Sequence, residues 1–188
     1  MKKKIKPIQV NLLSVIIIAF LLTSCEFQNL IPAPQRSFTA SDLILTQSDL
    51  PLSWFAPYGS MKDTDSGKPA NSMNIDIYHF IVSDRADISQ FVSIYKTTQQ
   101  AKNAFNDSAQ FPGQGDNSWS FTSEIADEEK ISCYTYSNQN YPICTWLGRY
   151  KEITIEVIGR LKPGSVSLGE LQTLVKIIDQ KVSRQFEN

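Results

Sequence analysis

Histidine is almost missing from this 188-residue chain, and His79 is its single representative. A hydrolase triad needs an imidazole held by a carboxylate and set beside a nucleophile. His79 falls in an isoleucine-rich segment that reads as a strand, and no G-x-S-x-G stretch accompanies it. No catalytic residue is therefore assigned; an envelope hydrolase working through carboxylates or His79 is the alternative. Cysteine is also scarce, with three copies, and one histidine with so few thiols cannot make a usual zinc site. No metal and no cofactor is expected. Excess positive charge is lacking too, at 18 basic against 19 acidic residues, so nucleic acid is not the expected partner. Long apolar runs are confined to Val10–Leu22. As a helix that stretch rises about 20 Å, short of the ~30 Å hydrocarbon core of a bilayer.

What is present is concentrated at the start. Lys2, Lys3, Lys4 and Lys6 precede the apolar run, which ends in Leu22-Thr23-Ser24-Cys25. A basic region, a short apolar region and small residues before a cut form an export signal. The tetrapeptide resembles the lipobox of bacterial lipoproteins. The resemblance implies a diacylated Cys25 thiol, cleavage before Cys25, and a membrane held through that lipid as a partner. Two acyl chains suffice for stable anchoring. Glu26 follows the cysteine in place of the aspartate tied to inner-membrane retention. The outer side of the cytoplasmic membrane and the outer membrane both stay open as locations.

Residues 1–24 thus read as a signal peptide, 25–40 as a flexible tether with Pro32 and Pro34, and 41–188 as one globular domain. Cleavage would remove four lysines and no acid, leaving 14 basic and 19 acidic residues. With Cys25 lipidated, Cys133 and Cys144 form an even pair, and an exported domain favours their disulfide.

Strand signals recur at Met73–Val82, Phe91–Thr97, Ser118–Glu124, Lys130–Tyr136, Tyr141–Gly148 and Lys151–Gly159. Thr97 with Gln100, and Ser167 with Glu170, are capping boxes that open helices. In the second helix Leu171, Leu174, Val175, Ile178, Val182 and Phe186 recur at helical spacing. Strands joined by short turns pair antiparallel, so the expected fold is α+β. It has a sheet of about six strands and two packed helices, the last of them C-terminal. This order is similar to the sandwich of the photosystem extrinsic subunit P family and to small extracellular sensor domains of bacterial kinases.

Cys133 and Cys144 are equidistant from the centre of Ser137–Asn140. A four-residue loop closed by Tyr136 and Tyr141 would place the cysteines opposite each other at a non-hydrogen-bonded pair. The acidic run Asp127-Glu128-Glu129 reads as a solvated turn. Asp63-Thr64-Asp65-Ser66-Gly67 departs from a calcium loop, because Gly67 stands where a ligand should. Aromatics are the feature above background. Trp54, Phe55 and Tyr58 cluster before a loop, and Tyr134, Tyr136, Tyr141 and Trp146 line the hairpin. Half-exposed Tyr and Trp favour recognition, so these seven make the candidate surface for an envelope protein or a small ligand; a purely structural surface lipoprotein is the further alternative.

Overall fold

A computed structural model describes residues 32–33, 35–50, 54, 61–62, 72–81, 87–108, 121–138, 140–161 and 166–187; for 61–62, 72–81 and 87 it describes backbone alone. The architecture is α+β, an antiparallel sheet with one helix on each face. Strands β3 (Asp87–Tyr95), β4 (Glu128–Tyr134), β5 (Ile143–Tyr150) and β6 (Ile153–Arg160) form its fully described part. That is four such strands where about six were expected. Beyond β3 the backbone continues into β2 (Ser72–Ile81) and the short β1 (Met61–Lys62), giving the order β1-β2-β3-β6-β5-β4.

The alternating segment Ser118–Glu124 was expected as a strand, yet residues 121–125 join no ladder. Phe121 is buried in the core, while Ser123 is captured by two carboxylates. Side-chain bonds replace sheet pairing there.

The register assigns the two faces. On one face Ile88, Val92, Ile153, Ile155, Val157, Cys144, Trp146 and Tyr150 are buried. Helix α2 (Leu168–Glu187) packs over them with Leu171, Leu174, Val175, Ile178 and Val182, the residues that its periodicity picked out. The α2 capping box works as read: Ser167 N donates to Glu170 Oε2 at 2.6 Å, and Ser167 Oγ accepts from Glu170 N at 3.3 Å. Gly159 lets α2 approach, because a Cβ there would meet Leu171 Cδ1. Two 3₁₀ turns, Ala40–Leu43 and Gln47–Asp49, complete this layer. Buried Gln90 of β3 serves the first of them, accepting from Leu45 N at 2.8 Å and donating to Leu43 O at 3.2 Å.

Helix α1 (Thr98–Asp107) covers part of the opposite face. Thr97 caps it by accepting from Gln100 N at 3.1 Å, and Ala101 and Phe105 turn inward. Lys130 Nζ of β4 donates to Phe105 O at 2.6 Å, which gives a helix-end carbonyl a charged partner.

The tether reading needs a boundary correction, because the chain is already fixed before residue 41. Ala33 N donates to Lys96 O at 2.7 Å, and Phe38 and Ala40 are buried. Arg36 ion-pairs with Glu152, whose side chain is 1% exposed, and its guanidinium lies 4.5 Å from the Phe186 ring centroid. An arginine can bury its stem on rings while its head meets a carboxylate, which polarity alone does not reveal.

Candidate functional site

The β4–β5 hairpin carries the largest share of the sequence candidates. Cys133 faces Cys144 in the ladder, the two are joined by a disulfide, and their Cα atoms are 4.1 Å apart. The close spacing fits a non-hydrogen-bonded pair. The register therefore agrees with the symmetry of the two cysteines. The ladder stops sooner than expected, at Tyr134–Ile143, so Tyr136 and Tyr141 do not close a four-residue loop as a strand pair. Tyr136 instead turns its ring onto Tyr134.

Beyond the disulfide, the Tyr134 and Tyr136 rings meet edge to face with centroids 4.9 Å apart. Tyr136 is 51% exposed, and Tyr134 and Tyr141 are half-buried. The Tyr136 hydroxyl donates to that of Tyr134 at 3.4 Å, a long contact for two hydroxyls, so ring packing holds the pair. The Tyr134 hydroxyl titrates at about 12, raised by the neighbouring Tyr136 hydroxyl and by burial. It stays neutral through the physiological range. On the same sheet face, burial pushes the Glu156 carboxyl up to about 7. The tip therefore offers two hydroxyls and two ring surfaces, suited to contact and hydrogen bonding.

Two candidates belong elsewhere. Trp146 is 0% exposed and Trp54 is 4% exposed, so neither contributes to a recognition surface. Trp146 lies on the α2 face, folded over Gly148, with its Nε1 donating to Glu129 Oε2 at 3.0 Å. Its indole is a core element whose polar tip is satisfied. Phe55, Tyr58, Cys25 and residues 63–67 lie outside the described residues. His79 is placed by backbone only, opposite Ser89 in the ladder.

The acidic run at the start of β4 is not a solvated turn. Asp127 Oδ2 accepts from Arg149 Nη1 at 2.9 Å and Lys151 N at 2.6 Å, and Glu128 Oε2 accepts from Arg149 Nε at 2.6 Å. Glu129 Oε2 also accepts from Ser123 N at 2.9 Å. Asp127 and Glu128 clasp the β5–β6 end of the sheet, and Glu129 ties Ser123 to Trp146 of β5. Lys151 sits in that two-residue turn at φ 55, and its N–H bond to Asp127 helps hold the left-handed backbone.

Sequence reasoning missed Asp179. It is 5% exposed on α2, and its carboxylate accepts from Ser123 Oγ at 2.7 Å, Glu124 N at 2.8 Å and Tyr150 Oη at 2.7 Å. Burial, followed by the Asp179 charge, raises the Tyr150 hydroxyl far above an ordinary phenol. The one available signal was an acid directly after Ile178 in the apolar stripe of α2. Beside it lies an open depression of about 440 Å³, lined by Glu124, Ile125, Lys176, Gln180, Ser183 and Arg184 among others. Among the described residues, no group of three or more His, Cys, Asp or Glu is placed to hold a metal. No described helix is long and apolar enough to cross a membrane.

Neither a protein-family model nor any curated protein matches the sequence. A solved structure similar to this chain is the extracellular domain of PknH from Mycobacterium tuberculosis. The two are 11% identical with a TM-score of 0.51, and the match covers 79% of this chain and 98% of that one. At that identity the likeness is one of fold.

Proposed function

We propose that this protein is a lipoprotein of the cell envelope, anchored through Cys25, whose domain binds a partner or small ligand without catalysing a reaction. The observation that carries the binding reading is the Tyr134–Tyr136 pair. A half-exposed ring is held against its neighbour at the end of a disulfide-stapled hairpin, so little rotamer freedom is lost when it is covered. The Tyr134 hydroxyl, pushed up to about 12, is neutral at physiological pH, which favours recognition by stacking and hydrogen bonds over charge pairing. The disulfide and the extracellular setting of the structural neighbour support an exported protein, and the Leu22-Thr23-Ser24-Cys25 box supports the anchor.

The test places a photoreactive amino acid at position 136 in the full-length protein in its own cells, with position 173, exposed on α2, as control. The expected result is a discrete adduct from position 136 that is absent from position 173 and lost on Tyr134→Ala. Equal labelling from both positions, or no adduct from position 136, would refute the tyrosine tip as the binding surface.

A further inference from the structure

The strap before residue 41 limits how an anchored domain can stand. It is fixed at three places at one end of the sheet: Ala33 on Lys96, Arg36 on Glu152, and Phe38 beside Phe186, with ring centroids 5.9 Å apart. Lys96 follows the end of β3, Glu152 lies in the β5–β6 turn, and Phe186 is in the last turn of α2. The Tyr134–Tyr136 pair lies at the other end of the same strands, across eight residues of β5, or about 26 Å.

Only eight residue steps separate Cys25 from Ala33. Any eight steps of chain span at most about 29 Å, and a random coil of that length averages about 16 Å. A tether free to residue 41 would have twice as many steps and could let the domain tumble. With Ala33 held on Lys96, a pose that turns the tyrosine end down onto the bilayer lifts Ala33 about 26 Å from it, well beyond the average span of eight steps and close to their maximum.

We infer that the domain stands on the membrane with the Lys96 and β5–β6 turn end toward the lipid headgroups and the Tyr134–Tyr136 tip pointing away from them. The orientation rests on the lipid anchor at Cys25 proposed above. It makes the tip the membrane-distal surface, available to a component that is not the anchoring lipid.

The experiment uses the full-length lipidated protein in vesicles of phosphatidylethanolamine and phosphatidylglycerol that contain an acceptor-labelled headgroup. A fluorescent amino acid replaces Lys96 in one variant and Asn138, exposed in the tip, in another. Donor emission should fall more at position 96 than at position 138. A Gly-Ser insertion after Gln28 that doubles the tether and leaves the strap intact should shrink the difference. Equal loss at both positions, or greater loss at position 138, would overturn the orientation while Cys25 is shown by mass to be acylated. An unacylated Cys25 in the same sample would overturn the anchor reading, and the orientation with it.

Discussion

Replacing Asp179 with alanine should be about as damaging as truncating a core leucine of α2, although it removes no apolar surface. Its carboxylate serves three donors at 2.7–2.8 Å, two of them on the connection before β4 and one on β5. Ser123 is half-buried and can turn its hydroxyl to water, but the Tyr150 side chain is 1% exposed and cannot. Stranding a buried hydroxyl costs about 1–3 kcal/mol, and loss of the Glu124 N–H bond adds about 1 kcal/mol. The expected cost is about 3 kcal/mol, a large part of the 5–15 kcal/mol typical of a domain. Urea unfolding measures it, with an unchanged m-value showing that the unfolded state is the same. Tyr150→Phe alone should cost about 1.5 kcal/mol, since Asp179 keeps two donors. In the double variant the two losses should overlap by at least about 1 kcal/mol, because both remove one bond. Additive losses, or an Asp179→Ala cost below about 1 kcal/mol, would show that the carboxylate does not hold the α2–β5 packing.

Three further outcomes test the framework. Reduction, or Cys133→Ser with Cys144→Ser, should cost about 3 kcal/mol for the short loop, a fall of about 10 °C in Tm read by calorimetry. Because the Glu156 carboxyl is raised to about 7 in the folded protein, the folded state keeps a proton that the unfolded chain has released. Its contribution is full below about 4.5 and is lost as pH climbs to about 7, by at most about 3 kcal/mol because the side chain is partly accessible; Glu156→Gln should remove that slope in urea titrations at several pH values. Gly148→Ala should cost about 2 kcal/mol by thermal unfolding, since its Cβ would enter the Trp146 ring and a packed indole has little room to move.

Legibility followed the range of the interactions. The α2 stripe, its capping box and the cysteine register are written within stretches of about twenty residues or fewer, and the structure agrees with each. Asp179 was illegible because its partners are 29 to 56 residues away, and an acid on a helix reads by default as solvated. The Asp127–Glu129 run misled for the same reason, since Arg149 lies on the neighbouring strand. Trp54 and Trp146 were assigned to a surface because aromatic clustering does not distinguish a core ring from a recognition ring. Burial separates them: the Tyr134–Tyr136 pair stays at the tip, and the tryptophans belong to the core. Arg36 and Phe38 were hidden in a proline-bearing segment whose composition matches a linker.

The central claim is an anchored domain, and the direct measurement is the intact mass of protein extracted from membranes with detergent. The account predicts a chain that begins at Cys25 and carries a diacylglyceryl group on its thiol. A chain that keeps residues 1–24, or begins elsewhere with Cys25 unmodified, would contradict it.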